Sequence, residues 1–263
     1  MRVSMEVMNP PYPPRLLFSV LPWSDESIVN SYQVRVREAN RVGSLDQLAA
    51  VANRPQKSLS IFQLLTDVTA LTCLGQMAGL DYDLATAAPT PLLGAAGHEL
   101  RWNKGALSVQ FWMHTRSQVC PSCLDLNEYL PDSLDYWHLP VCTDHHCLVV
   151  ETCPECAEYI SPNRPTLLFC GTCGFDLREC VRHSVSEELC DVASKLSGLA
   201  GIPLLTSRGS AFLNASQIAA LCVYFSVGEA APALAPKLSP ATERVAAKVR
   251  LEALKTLSAC MDG

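Results

Sequence analysis

Apolar side chains recur at helical spacing in the first third of the chain. Ile61, Leu64, Leu65, Val68, Leu71, Leu74 and Met77 form one stripe, and the capping box Ser60-Ile-Phe-Gln63 marks where that helix would open. Such a stripe reads as core. Upstream, residues 25–40 read as a helix with Ser24 as N-cap and two acids, Asp25 and Glu26, in the first turn, where they favour the helix dipole. Gly43 breaks the pattern, and a second capping box, Ser44-Leu-Asp-Gln47, opens the short run LDQLAAVA. Three short helices around a glycine turn predict a helix-turn-helix-like bundle over residues 1–97. Arg35, Arg37, Arg41, Arg54 and Lys57 are the candidates for a basic face on it.

The pattern lapses at 85–97 (ATAAPTPLLGAAG), which reads as a loop or linker. Helical signals resume around 186–200 and 214–227. Gly228 to Pro240 is a proline- and alanine-rich tether, and Ser239-Pro240 then supplies an N-cap and a first-turn proline for a last helix. Arg244, Lys248 and Lys255 fall near one face of that helix, most simply a solvated one.

Between these helical regions the chemistry changes. Of 13 cysteines in 263 residues, seven fall into four knuckles: Cys120-Pro-Ser-Cys123, Cys142-Thr-Asp-His145, Cys153-Pro-Glu-Cys156 and Cys170-Gly-Thr-Cys173. A two-residue gap lets both donors of a tight turn reach one ion, and zinc takes four such donors tetrahedrally. Four knuckles therefore predict two closed structural zinc sites: Cys120, Cys123, Cys142 and His145 in one, and Cys153, Cys156, Cys170 and Cys173 in the other. His146 and Cys147 stand close enough to act as substitute ligands. Cys73, Cys180, Cys190, Cys222 and Cys260 read as small buried apolar side chains, and His98, His114, His138 and His183 as structural or surface residues. With all four positions taken by protein donors, neither site leaves room for water or substrate, and the chain reads as a non-enzyme.

The ligand order also matches a RING domain, a module of ubiquitin ligases, but seven residues separate His145 from Cys153 where RINGs leave a much shorter gap. A thioredoxin-like redox enzyme would carry one C-x-x-C pair beside a βαβ pattern, not four in series. The base-deaminase signature fails because no knuckle has a proline directly before its first cysteine. The fold class that results is mostly α with small zinc-ribbon or zinc-finger elements: a helical region 1–97, a double zinc module 98–185 and C-terminal helices 186–263 with the tether at 228–240.

Charge narrows the partner class. The chain carries 20 Lys and Arg against 26 Asp and Glu, a net −6. Residues 116–182 hold ten acids and four bases, so this stretch alone accounts for the imbalance. Zinc on four thiolates adds about −2, and on three thiolates and an imidazole about −1. Phosphates would be repelled by such a module, which points to protein docking and leaves any DNA contact to the flanking helices. No apolar run approaches a membrane span, no signal peptide is legible, and clustered cysteines without export suit a reducing, cytoplasmic compartment.

The knuckles and their surroundings resemble the TniQ/TnsD family of bacterial transposition target-selection proteins. The matching residues are Cys120-Pro-Ser-Cys123-Leu124, Tyr129, Trp137, Val141-Cys142-Thr-Asp-His145 with Leu148, Cys153-Pro-Glu-Cys156, and Cys170-Gly-Thr-Cys173-Gly-Phe-Asp-Leu-Arg178. Upstream, Leu21-Pro22, then Glu26-Ser27, then a helix carrying Arg37 is similar to the family's opening segment, so the resemblance covers roughly residues 15–180. Asn127, the Val29–Tyr32 segment and Cys147 depart from the family pattern. The resemblance implies an adaptor, in some members dimeric, that links a target-recognition system to an AAA+ ATPase regulator which recruits the transposase. In CRISPR-associated transposons that recognition system is an RNA-guided effector complex. The long C-terminal region that reads target DNA in TnsD members has no counterpart here. A stand-alone zinc-ribbon, helix-turn-helix DNA-binding regulator is the alternative.

Overall fold

A computed structural model describes residues 18, 20–51, 67–80, 90–91, 99–102, 105–108, 111–112, 115–197, 202–206, 209–213, 217–222 and 247–262. The architecture is mostly helical with small antiparallel sheets. The first helix opens as a wide π-helical turn, Ile28–Tyr32, and continues as α1, Gln33–Ala39. Its cap is Ser27, not the expected Ser24: Ser27 Oγ accepts from Asn30 N at 2.8 Å. Glu26 makes an isolated antiparallel bridge to Pro131 and precedes the cap, so it is not part of the first turn. α2 (Leu45–Val51) keeps the predicted box: Ser44 Oγ accepts from Gln47 N at 3.2 Å, and Gln47 Oε1 accepts from Gly43 N at 2.7 Å. α3 (Val68–Met77) is capped by Asp67, whose carboxylate accepts from Thr69 N and Ala70 N. The box at Ser60–Gln63 lies outside the described residues.

The stretch expected to be a linker is partly a strand. β1 (Thr90–Pro91) pairs with β2 (Glu99–Trp102), which pairs with β3 (Gly105–Ser108), all antiparallel. β1 is an edge strand, the one place in a sheet where a proline costs no ladder bond. After α4 (Pro121–Leu126) comes a 3-10 turn, Asp132–Asp135, then the hairpin of β4 (Val141–Cys142) and β5 (Cys147–Leu148). A second 3-10 turn, Leu177–Glu179, precedes α5 (Glu187–Ser197). A further hairpin, β6 (Ile202–Thr206) with β7 (Gly209–Leu213), occupies residues for which the sequence reading assigned no strand. Residues 217–222 are helical, and α6 spans Ala247–Asp262. Among the described residues no helix is long and apolar enough to cross a membrane.

One apolar core draws on all three sequence segments. Val29, Tyr32 and Val36 of the first helix, Leu71 and Leu74 of α3, Trp112, Trp137, Leu189, Ala219 and Leu254 belong to it. A second core lies around the knuckles and includes Val34, Val119, Leu124, Leu134, Ile160, Leu177 and the cysteine sulfurs. The first helix sits between the two cores, which is why its polar residues are buried as well as its apolar ones.

That burial corrects the basic face. Arg37 is fully enclosed, donating to Gln33 Oε1 at 2.8 Å, Arg164 O at 2.8 Å and Gly43 O at 3.1 Å. Arg35 is spent on Glu26 at 2.6 Å. Arg54 and Lys57 lie outside the described residues, which leaves Arg41 as the one exposed member among those described. In place of a phosphate-binding surface, the helix plugs into the loop at 160–167: Gln33 Nε2 donates to Pro162 O, Arg164 donates to Asn30 O and to Ser117 Oγ, and Glu38 accepts from Leu167 N.

Asp135 anchors the other side of the same helix. Ser27 Oγ donates to both its oxygens at 2.8 Å, and Asn30 Nδ2 to Oδ1 at 2.5 Å. Burial pushes this carboxyl up to about 8, with the bonds from Asn30 and Ser27 pulling downward and the Asp132 charge pushing upward. Its folded pKa lies above the unfolded value of 3.8, so its contribution is complete below about pH 4 and is lost as pH rises through 8. His138, pushed down to about 3 by burial and by Arg250, is neutral in the folded chain throughout this range. Between pH 6.5 and 8, then, the unfolding free energy of the wild type should fall by about 2 kcal/mol relative to that of Asp135→Asn, a difference in which groups common to both chains cancel, measured by denaturant melts. Parallel profiles would sink the assignment.

Candidate metal centres

Each knuckle is built by a local feature that aims two donors at one point. Cys120 is the N-cap residue of α4 and Cys123 lies in its first turn; Pro121 presets the helix and has no N–H to leave unpaired. The other three knuckles are tight turns, each with the residue after the second donor in the left-handed region: His146 at φ 47°, Ala157 at 59° and Gly174 at 76°. At two of them the turn closes with a backbone bond to the first cysteine's carbonyl, from Ala157 N to Cys153 O and from Gly174 N to Cys170 O, both 2.9 Å. At 174 a glycine meets the requirement without strain. The two halves of the module are stitched by the pair Val119–Val150, whose backbone groups exchange bonds of 2.9 and 2.8 Å.

The donors gather in two groups, Cys120, Cys123, Cys142 and His145, and Cys153, Cys156, Cys170 and Cys173, with all ligand atoms of each group within 4.8 Å of one another. Knuckles pair in sequence order, first with second and third with fourth, not in the crossed pattern of a RING. Two sulfurs on one tetrahedral zinc stand about 3.8 Å apart, and a sulfur and an imidazole nitrogen about 3.5 Å. The second group has edges of 3.6 Å (Cys153–Cys173) and 3.8 Å (Cys156–Cys170). In the first, Cys123–Cys142 is 3.6 Å, and His145 Nδ1 lies 3.7, 3.3 and 3.5 Å from Cys120, Cys123 and Cys142. These distances fit two tetrahedral metal ions on soft donors, the coordination zinc takes in structural sites.

Within each group the thiols share hydrogen bonds, so some sulfurs are lowered while others, Cys123, Cys156 and Cys173, are raised. The Cys120 thiol is lowered because Cys123, Cys142 and Cys147 direct hydrogen bonds at its sulfur. At Cys170 burial works upward, but the backbone N–H groups of Cys173 and Thr172 and two neighbouring thiols bring the value down to about 7. His145 is raised: burial lowers it, and the sulfur of Cys142 outweighs that.

Of the two suggested substitutes, His146 is exposed and outside the donor group. Cys147 is buried, with its sulfur 3.5 Å from that of Cys120. Among the remaining cysteines, Cys180, Cys190 and Cys222 are buried fillers, and burial raises Cys180 to about 11 and Cys222 to about 12. Cys73 and Cys260 have no described side chains, and His98 and His114 lie outside the described residues.

Sequence reasoning missed a set of exposed apolar side chains in residues 18–23 and at 126. Phe18, Leu21, Trp23 and Leu126 are all more than half exposed. Trp23 stacks on Tyr129 with ring centroids 5.6 Å apart, and Tyr129 Oη donates to Asp25 at 3.1 Å. Tyr129 is pushed up to about 12 by burial, by that bond, and by the charges of Asp25 and Asp144. The opening Leu-Pro segment was legible only as a family feature, because apolar residues hemmed by prolines carry no periodicity. Searches of family models and of curated proteins returned no match for the chain.

Proposed function

We propose that this chain is a zinc-stabilised adaptor in DNA transposition, a non-enzyme that links a target-recognition complex to an AAA+ ATPase regulator. The observation that carries the reading is the exposed Trp23 stacked on Tyr129, with exposed Leu126 three residues before Tyr129 in sequence, set on a module with an acidic balance. A rigid, partly aromatic surface flanked by Asp25 and Asp144 suits a basic, apolar-tipped protein segment and repels phosphate. The two donor sets, each filled by four protein side chains, hold that surface in place with two structural zinc ions. The knuckle series, with its resemblance to target-selection proteins, supplies the biological setting and the candidate recognition system, an RNA-guided complex. A cytoplasmic, bacterial location belongs to the same reading. Dimer formation is part of what the family resemblance implies, and the charge balance leaves any auxiliary DNA contact to the flanking helices.

Two of the basic residues that would serve the stand-alone DNA-binding alternative, Arg35 and Arg37, are engaged with partners inside the protein. The test is association of the purified chain with the ATPase and guide-RNA complex encoded beside it. We expect binding to at least one, and Trp23→Ala should weaken it ten-fold or more with an unchanged melting curve, as truncation of a central aromatic anchor does. No association with either partner would refute the reading.

A further inference from the structure

The first centre has five donors for four positions. Cys142 and Cys147 are direct cross-strand partners in the β4–β5 hairpin, so their side chains leave the hairpin on the same face. The Cys147 sulfur lies 3.5 Å from Cys120 and within hydrogen-bonding reach of Cys142. It therefore touches two of the three thiols that His145 also touches. Of the two, His145 is half-exposed, whereas Cys147 is buried at 3% exposure. By the second group Cys180 is buried and feels the charges of Cys153 and Cys170, but among the described residues no hydrogen bond joins it to either sulfur.

We propose that Cys147 is an alternate ligand of the first centre, which holds its ion through Cys120, Cys123 and Cys142 plus either His145 or Cys147. The inference rests on the reading of the two groups as metal sites. In the exchange, a sulfur–metal bond from Cys147 replaces the nitrogen–metal bond from His145, and the thiol proton leaves to solvent or to the released imidazole. The consequence is a centre that keeps its ion when the more exposed knuckle residue is drawn away.

The test uses the full chain loaded with zinc. Metal per chain is measured after desalting, and X-ray absorption at the zinc edge reports the donor atoms. Wild type is expected to hold two ions with seven sulfurs and one nitrogen as donors. His145→Ala should keep two ions and lose the light-atom shell, because Cys147 makes both centres all-sulfur. Cys147→Ala should keep two ions and the wild-type shell, and the double variant should fall to one ion. A His145→Ala chain that drops to one ion, or keeps two with a nitrogen or oxygen neighbour, overturns the proposal, since water and not Cys147 then fills the gap. Loss of an ion in Cys147→Ala overturns it too, by making Cys147 obligatory. A wild-type chain with fewer than two ions would refute the metal reading itself.

Discussion

A Cys153→Ala chain should carry one zinc ion where the wild type carries two, and should lose the folded structure of residues 150–180. Cys153 is fully buried, and its group has four donors, with no fifth sulfur hydrogen-bonded to them among the described residues. Three thiols cannot close the site, and structural zinc is worth on the order of 10–16 kcal/mol in small modules. That exceeds the roughly 5–15 kcal/mol by which whole domains are stable. The second core cannot make up the loss, because its apolar residues there (Ile160, Leu167, Leu177) are arranged around the sulfurs themselves. Damage should also spread to the first helix, whose Gln33, Arg37 and Glu38 all bond to the loop at 160–167. Metal content and hydrogen exchange read the result, and a chelator should reproduce it in the wild type. Retention of both ions, or undiminished protection at 150–180, would contradict it. A matched substitution at His145 should be far milder, since that centre has a donor in reserve.

The knuckles were legible because metal chemistry writes its requirements into spacing. Four donors at two-residue gaps leave little else for those residues to do, and the structure brings together the eight that spacing paired. Helix content was legible for the same kind of reason at α2, where the Ser44–Gln47 box states its own geometry. The first helix shows where this fails. Its sequence marks a helix with polar residues on several sides, and periodicity alone reads such residues as solvated. Only the presence of a second core behind it, and of acceptors on a loop more than 120 residues away, makes Arg37 a buried strut. The hairpins failed for another reason. Ile202–Thr206 and Gly209–Leu213 are short, and an apolar run of five residues does not distinguish strand from helix. Thr90–Pro91 was hidden by prolines that a linker and an edge strand tolerate equally.

The same logic governs the last helix. Arg244, Lys248 and Lys255 were the basic residues that drew notice, yet Lys255 pairs with Glu252 at the surface and Arg244 lies outside the described residues. The residue that matters is Arg250. It is completely buried, donates to Trp137 O and to the Glu151 carboxylate, and lies over the Trp137 ring at 5.3 Å. Glu151 in turn sits two residues before Cys153, with Arg116 Nε at 3.9 Å as its other cation. The ion pair therefore ties α6, beyond the tether, to the junction between the two centres.

Replacing Arg250 with methionine should cost about 3–5 kcal/mol of stability, because it leaves Glu151 a buried charge with only the more distant Arg116 opposite it. The alkyl stem keeps some packing against Trp137, so the loss reports the charge more than the volume. Pairing Arg250→Met with Glu151→Gln should cost clearly less than the two single losses added together, since the second change removes the charge that the first strands. Denaturant melts of the four chains give the coupling directly, and because the pair is shielded from solvent it should change little between low and high salt. Additive losses, or a single-variant cost below about 1 kcal/mol, would mean that α6 is held by Leu254 and Leu257 alone. With coupling, α6 and the knuckle module are parts of one folded body, joined through residues 223–246, which lie outside the described residues and include the predicted tether at 228–240, and release of α6 would bare Glu151 beside the Cys153 knuckle.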